Sequence, residues 1–128
     1  MRLLLDTCIF LWLITDDSRL TDSTRQIIRN TENDVFLSSV SIWESIVKYQ
    51  LGKLPLPKPP LEYLLEQREL HQIESLALDE GSVFYLANLP SIHRDPFDRM
   101  LICQAIKHQL ILVTADNTIR SYPVKTIS

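Results

Sequence analysis

Glycine and cysteine are both scarce in this sequence. Gly52 and Gly81 are the only glycines among 128 residues, so a glycine-rich loop that cradles phosphate through backbone N–H groups is excluded. Cys8 and Cys103 lie in apolar segments without CxxC spacing. They are predicted to be small core residues, not a redox pair or a metal site, and they give no sign of a secreted disulfide scaffold.

Long hydrophobic runs are also missing. No segment approaches the roughly 18 apolar residues that a membrane span requires. The apolar N-terminal stretch is interrupted by Asp6 and ends at Asp16 and Asp17 without a small-residue cleavage site, which argues against a signal peptide. We therefore expect a cytoplasmic protein with no membrane segment. The length predicts a single domain over residues 1–128.

An excess of positive charge, typical of nucleic-acid binders, is absent. Lys and Arg number 13 against 16 Asp and Glu, a net charge of −3. Five of the acids are candidates for one shared site, which leaves 11 acids against 13 bases, or +2, for the rest of the chain. Bound divalent cations would offset such a cluster, so the net charge does not exclude nucleic acid. The five acids are Asp6, Glu44, Asp95, Asp98 and Asp116.

What the sequence does contain is two apolar runs that each stop near an acid. Leu3, Leu4 and Leu5 are typical of a strand buried on both faces, and Asp6 follows directly. Residues 110–114 form a second such run, with Asp116 just beyond it. Ligands of open α/β sheets bind at the carboxyl ends of the strands. If the two strands are parallel neighbours, both carboxylates lie at the same end of the sheet.

Short apolar strands alternate with helical segments along the whole chain. This order predicts an α/β fold with a central, mainly parallel sheet of four or five strands and helices on both faces. Residues 54–60 are too rich in proline for regular structure and are expected to form a stiff connector. Trp12 and Trp43 are assigned to the core, and the helix over 61–71 is predicted to be amphipathic, with Leu61, Leu64 and Leu65 on its apolar face. Further strands are predicted within 35–38, 73–78 and 122–127, and helices over 8–14, 21–31, 40–51, 61–71, 80–88 and 95–108.

Two more acids fall on helix faces that should be buried. Glu44 is aligned with Val40, Val47 and Leu51, and Asp98 lies in the first turn of a helix that continues with mostly apolar residues. Buried acids are costly unless they are paired or bound to metal, and clustered acids raise one another's pKa. A divalent cation resolves this conflict, and oxygen ligands suit Mg²⁺ or Mn²⁺. The chemistry then expected is metal-assisted phosphodiester hydrolysis.

Each acid also has a purely structural interpretation. Asp6 or Asp116 could cap the helix that follows its strand, and Asp95 is a natural N-cap before a proline at the first helical position. Glu44 could pair with Lys48 one turn later on the surface. The combination of four such acids on one inferred fold favours a shared site.

Several neighbours of these acids are assigned supporting roles. Thr7, Thr114 and Asn117 are expected to orient metal ligands or water from just outside the site. His93 is interpreted as a loop histidine and not as a ligand, because no second histidine lies near it in the sequence.

Five segments together resemble the PIN-domain ribonucleases, and most closely the VapC-type toxins of bacterial and archaeal toxin–antitoxin pairs. The resemblance extends over the whole chain. The run His-x-Asp-Pro-Phe-Asp-Arg that begins at His93 is its most specific part. The segments are Leu4–Thr7, Ser41–Glu44, His93–Ala105, Val113–Asp116 and Tyr122–Val124.

The resemblance implies a Mg²⁺- or Mn²⁺-dependent endoribonuclease. Its catalytic, metal-binding quartet would be Asp6, Glu44, Asp98 and Asp116, with Asp95 as an additional acid that either caps its helix or joins the metal site. Toxins of this type usually cut a structured RNA of the translation machinery and so arrest growth. They typically form homodimers and are held inactive by a cognate antitoxin protein.

Two other functions are weighed against this one. A catalytically silent PIN-like binding module would keep the fold for partner contact alone. A phosphatase of the haloacid-dehalogenase type also places an Asp after its first strand, but it needs a second acid two residues later, where this chain has Cys8.

Overall fold

Five parallel strands form one sheet in the order β3-β2-β1-β4-β5 in the computed structural model, which describes residues 1–128. The predicted parallel sheet is therefore confirmed, and the run of three leucines forms its central strand. The strands are β1 (Arg2–Leu5), β2 (Asp34–Ser38), β3 (Glu74–Leu76), β4 (Ile111–Val113) and β5 (Thr126–Ile127).

Six α-helices connect or flank these strands, close to the predicted positions. Short 3-10 turns at Tyr85–Asn88 and Ile119–Ser121 complete the regular structure. None of the helices has the length and hydrophobicity to span a bilayer. The helices are α1 (Thr7–Ile14), α2 (Asp22–Arg29), α3 (Ser39–Gln50), α4 (Pro60–Leu70), α5 (Glu80–Phe84) and α6 (Pro96–His108).

The side chains of β1 alternate between two hydrophobic clusters, one on each face of the sheet. Leu3 and Leu5 pack into the cluster that includes residues of α1, α2 and α4. Leu4 packs into the other cluster, which includes Val40 of α3 and several residues of α6. Successive residues of a strand point to opposite faces, so a continuous leucine run is required where helices cover both.

Helices begin immediately after two neighbouring strands, at the carboxyl edge of the sheet. Asp6 caps α1 directly after β1, and Ser38 caps α3 directly after β2. The Ser38 hydroxyl also hydrogen-bonds the side-chain oxygen of Gln104, a fully buried residue of α6, and the Gln104 amide donates to the Ala77 carbonyl at 3.3 Å. These contacts fix α3 and α6 against the edge where the acids converge.

Three sequence-based assignments to the core are wrong. Leu61 is 74% exposed, because α4 reaches the core through Leu64 one turn later. Trp43 is 58% exposed on α3, where its ring meets the Phe97 ring edge-on at 4.7 Å between centroids. Cys8 is exposed, because α1 turns its neighbours toward the sheet and leaves the thiol at the cleft described below.

Candidate active site

The carboxyl edge of the sheet places two acids from adjacent strands side by side. The Asp6 N–H donates to the Val113 carbonyl at 3.0 Å, which aligns the end of β1 with the end of β4. Asp116 lies three residues beyond β4. The parallel pairing of β1 with β4 thus produces the juxtaposition that their sequence positions predict.

The Asp6 carboxylate is buried and already hydrogen-bonded. Its Oδ1 accepts the Ile9 N–H at 2.7 Å, so the predicted capping interaction is present. Burial raises the pKa of Asp6 to about 6, although hydrogen bonds from Thr114 and Ile9 oppose the change, and Glu44 and Asp116 add repulsion. Capping and participation in an acidic cluster are therefore compatible at this residue.

Glu44 is 3% exposed on α3, and its two oxygens have different surroundings. Oε2 lies 2.6 Å from Lys48 Nζ, so the ion pair exists, but its carboxylate is buried and not on the surface. Oε1 is buried without any hydrogen-bond partner. A buried carboxylate oxygen without a donor is costly, so Oε1 marks a position where a cation or a donor would be stabilising.

His93, Asp98 and Asp116 form the most compact group of potential ligands, with one donor atom from each lying within 4.8 Å of the others. His93 Nε2 is 3.2 Å from Asp98 Oδ2 and 2.9 Å from Asp116 Oδ2. The interpretation of His93 as an ordinary loop histidine missed this placement. The available signal was its position five residues before Asp98, in the segment that leads into α6.

The environments of Asp98 and Asp116 shift their pKa values in opposite directions. Burial raises the pKa of Asp98 to about 7, and repulsion from Asp95 and Glu44 adds to the increase. Burial also opposes ionisation of Asp116, but hydrogen bonds from His93 and the Thr118 backbone outweigh it and lower the pKa of Asp116. The cluster therefore has an excess of negative charge that its own hydrogen bonds compensate only in part.

Asp95 is the N-cap of α6, as its sequence position before a proline predicts. Its Oδ1 accepts the N–H of Phe97 at 2.8 Å and of Asp98 at 3.2 Å. Both hydrogen bonds satisfy donors at the start of the helix.

The three residues expected to support the acids are placed differently. Thr7 donates to the Ser41 hydroxyl at 2.9 Å and links α1 to α3. Thr114 accepts the Asp116 N–H at 3.1 Å and also hydrogen-bonds Asp6. Asn117 is exposed and its side chain makes no hydrogen bond in this structure. Thr114 therefore contacts two of the acids directly, whereas Thr7 joins α1, which Asp6 caps, to α3, which carries Glu44.

A cleft of about 210 Å³ opens onto this cluster. At roughly 30 Å³ per water, it has room for an ion and several waters. Four larger cavities, of about 220, 420, 430 and 540 Å³, lie elsewhere and are lined by none of the clustered acids. The cleft is lined by Asp6, Cys8, Trp12, Asp98, Ala115 and Asp116.

The sequence matches the family model for the PIN domain over residues 3–125. The chain belongs to the PIN domain family. A relative of this PIN domain, Ribonuclease VapC16 of Mycobacterium tuberculosis (strain ATCC 25618 / H37Rv), is 34% identical over 60 residues. That alignment spans 47% of this chain and 43% of the relative, so less than half of the relative's length is matched.

Solved structures share the fold over nearly the full length of the PIN domain. VapBC2 from Rickettsia felis, bound to a DNA fragment from its promoter, has a TM-score of 0.72 at 19% identity, covering 99% of this chain and 98% of that one. DNA-bound VapBC from Salmonella typhimurium has a TM-score of 0.72 at 18% identity and covers 99% and 97%. FitAcB from Neisseria gonorrhoeae has a TM-score of 0.67 at 19% identity and covers 98% and 96%. At such identities these likenesses show the fold alone.

The donor set of this PIN domain fits a divalent cation. Asp98 and Asp116 belong to the compact group of ligand atoms, and Asp6 lines the same cleft. Glu44 is outside that compact group and the cleft lining, but its charge acts on Asp6 and Asp98 and its Oε1 has no protein partner. Hard cations such as Mg²⁺ and Mn²⁺ prefer oxygen ligands of this kind. A bound cation would relieve the burial and repulsion that raise the pKa values of Asp6 and Asp98.

Proposed function

We propose that this chain is a metal-dependent endoribonuclease, the toxin of a toxin–antitoxin pair that cleaves RNA and arrests translation. The observation that carries the proposal is the unpartnered, buried Oε1 of Glu44, a residue whose charge contributes to the raised pKa values of Asp6 and Asp98. Such a group of acids is unfavourable without a cation. The name of the relative Ribonuclease VapC16 supports RNA as the substrate class.

In this proposal, Mg²⁺ or Mn²⁺ is held by Asp6, Glu44, Asp98 and Asp116, while Asp95 remains a helix cap. When bound, the cation supplies Lewis-acid chemistry, activating water and stabilising charge on the phosphodiester. The protein's own hydrogen bonds hold the carboxylates in place beforehand: Thr114 and Ile9 orient Asp6, and Lys48 leaves one oxygen of Glu44 free. Pre-positioned ligands reduce the reorganisation that binding requires.

We further propose that residues 1–128 act as one PIN domain in the cytoplasm, as a homodimer with a cognate antitoxin protein as partner. The solved structures with this fold include complexes named VapBC and FitAcB, which supports a protein partner for the toxin fold. The exposed Trp43 and Phe84 provide apolar surface for such contacts.

The decisive experiment measures cleavage of a structured RNA by the purified protein with Mg²⁺, with Mn²⁺ and with EDTA. Asp6→Asn and Asp98→Asn are expected to lose activity, and EDTA is expected to abolish it. Asp22→Asn is the matched control, because Asp22 is exposed on α2 and makes no ion pair. Equal cleavage by every sample would show that the RNase activity does not come from this site.

A melting experiment separates the nuclease from a silent PIN-like module. A ligand that binds only the folded state raises the melting temperature, so Mg²⁺ should stabilise the protein in proportion to its binding. An unchanged melting temperature at millimolar Mg²⁺ and Mn²⁺, together with absent cleavage, would favour the silent module.

A further inference from the structure

His93 lies between two of the proposed metal-binding carboxylates, and its role there has two chemically distinct possibilities. Nε2 is 2.9 Å from Asp116 Oδ2 and 3.2 Å from Asp98 Oδ2. The ring nitrogen could offer a lone pair to the same cation as the carboxylates. Alternatively, it could donate a hydrogen to them. The two roles require opposite tautomers of the neutral imidazole.

The other ring nitrogen decides between these roles. His93 Nδ1 lies 3.0 Å from the backbone nitrogen of Asp95 and accepts its N–H. A backbone N–H can only donate, so Nδ1 must present a lone pair and carries no hydrogen. In a neutral ring the single hydrogen is then on Nε2, where its hydrogen-bond partner is Asp116 Oδ2, a carboxylate oxygen that can only accept when ionised. An Nε2 that carries hydrogen has no lone pair for a metal.

We infer that His93 is a positioning residue that donates from Nε2 to Asp116, lies beside Asp98, and is not itself a metal ligand. This inference rests on the proposed function for the identity of the metal-binding acids. The Nε2–H holds Asp116, in the loop after β4, against an imidazole that also lies 3.2 Å from Asp98 of α6. The ring thereby bridges the loop after β4 and the start of α6, two elements whose inner residues share one hydrophobic cluster.

Tyr122 fixes the segment that presents His93. Its buried hydroxyl accepts the N–H of Ile92 at 3.1 Å and of His93 at 2.6 Å. Arg99 of α6 donates to the same hydroxyl at 3.2 Å and to the Pro90 carbonyl at 2.8 Å. Residues 90–95 have no helix or strand of their own, so these hydrogen bonds set the position of the imidazole.

The tautomer can be measured without any activity assay. NMR of the protein with ¹⁵N-labelled histidine distinguishes an imidazole with hydrogen on Nε2 from one with hydrogen on Nδ1. We expect the Nε2–H form for His93 in EDTA and also after saturation with Mg²⁺. Hydrogen on Nδ1 in EDTA, or loss of the Nε2 hydrogen when Mg²⁺ is added, would overturn the inference.

Two isosteric substitutions test the donor role. The amide nitrogen of Gln reaches about as far as Nε2, whereas that of Asn reaches only about as far as Nδ1. Mg²⁺ affinity, measured by calorimetry, should therefore stay within about threefold of wild type in His93→Gln and fall at least about tenfold in His93→Asn, as is typical when a partner of a metal ligand is lost. Equal loss in both variants would contradict a donor role.

Tyr122→Phe removes only the hydroxyl that accepts the backbone N–H groups of Ile92 and His93 and so holds residues 90–95 in place. We expect weaker Mg²⁺ binding in this variant while its circular dichroism spectrum and cooperative melting are retained. Unchanged Mg²⁺ affinity would show that Tyr122 does not position His93. Since the tautomer and the Mg²⁺ affinity are read without RNA, a wild-type protein that binds Mg²⁺ with the expected tautomer but leaves RNA intact would refute the nuclease proposal alone.

Discussion

Lys48 Nζ lies 2.6 Å from Glu44 Oε2, one helical turn away on α3, and leaves the other oxygen of that carboxylate buried and unpaired. The lysine is partly exposed while the glutamate is almost fully buried. Desolvation opposes the charge on Lys48, but its hydrogen bond to Glu44 outweighs this and raises the pKa of Lys48. The pair stabilises one oxygen of a carboxylate whose charge also contributes to the raised pKa values of Asp6 and Asp98.

Replacement of Lys48 by Met should therefore destabilise the metal-free protein. The buried Glu44 charge would lose its counter-ion, and because Lys48 is 39% exposed we discount the usual buried-pair value for solvent screening, to about 1–2 kcal/mol. Urea unfolding in EDTA measures this loss, which should shrink when Mg²⁺ is present. Lys53→Met is the control, because Lys53 is exposed and unpaired. An equal effect of both substitutions would contradict the role of the pair.

Asp98→Asn should stabilise the protein in EDTA while removing activity. Burial first, and repulsion from Asp95 and Glu44 second, raise the pKa of Asp98 to about 7 from an ordinary 3.8. A raised carboxyl pKa means that the ionised form destabilises the fold. This loss of folding free energy is absent below about pH 4, where Asp98 is protonated in both the folded and the unfolded state. It is complete above about pH 7, where Asp98 is ionised in both.

The gain from Asp98→Asn at pH 8 should be about 1–3 kcal/mol, since each pKa unit corresponds to 1.36 kcal/mol and local relaxation reduces the total. Urea unfolding at pH 4 and pH 8 tests the sign, because the advantage of the variant should appear only at the higher pH. A variant that is less stable than wild type at pH 8 in EDTA would show that the clustered acids do not destabilise the fold.

Asp79 links the start of α5 to the end of α6, far from the acidic cluster. Its Oδ1 is 2.6 Å from His108 Nε2, and Oδ2 accepts the Ser82 N–H at 3.0 Å. The hydrogen bond from His108, with that from Ser82, holds the pKa of Asp79 well below its usual range. A lowered carboxyl pKa contributes stability above about pH 4, which is lost as the pH falls toward the folded-state pKa.

Asp79→Ala should consequently lower stability at pH 7 by about 1 kcal/mol, the usual cost of a lost helix cap. Asp79→Asn should cost less, because asparagine still caps a helix. Thermal melts at pH 7 and pH 3 test this, with a smaller difference from wild type at the lower pH. If both variants melted like wild type at pH 7, the contact would contribute nothing measurable.

Gln104 is a fully buried amide on a helix that otherwise packs apolar residues. It hydrogen-bonds the Ser38 side chain that caps α3, and donates to Ala77. Gln104→Leu leaves the Ser38 hydroxyl without its acceptor and the Ala77 carbonyl without its donor. The substitution should lower the free energy of unfolding by about 1–3 kcal/mol. Urea unfolding measures this loss of stability. Gln109→Leu is not a suitable control, although Gln109 is on the surface, because its positive φ of 56° would strain a leucine. Gln26→Leu, at an exposed position of α2, serves instead.

Much of the architecture follows from local sequence. Three leucines in a row specify a strand covered on both faces, and Asp6 and Asp95 cap the helices that follow them, as their positions allow. The sequence also predicted Glu44 to be buried, because it shares a helix face with Val40. These features depend on periodicity and capping chemistry, which act over a few residues.

Helix-face reasoning failed where burial depends on how far a neighbouring element extends. Leu61 and Trp43 are apolar, yet no neighbouring element extends far enough to cover either side chain, and both are exposed to solvent. Gln104 is the converse case, a polar residue that is buried because Ser38 and Ala77 happen to satisfy it. Hydrophobicity alone does not contain this information.

The sequence by itself determined that Asp6 and Asp116 follow buried strands, that Asp6 and Asp95 precede helices they can cap, and that Glu44 is buried. These features depend on nearest neighbours and on the helical and strand periods. Only the tertiary structure decided that His93 stands between Asp98 and Asp116 with its tautomer set by Asp95, and that one oxygen of Glu44 has no partner. Those facts depend on contacts between residues far apart in the chain, whose distances follow from the packing of the helices against the sheet.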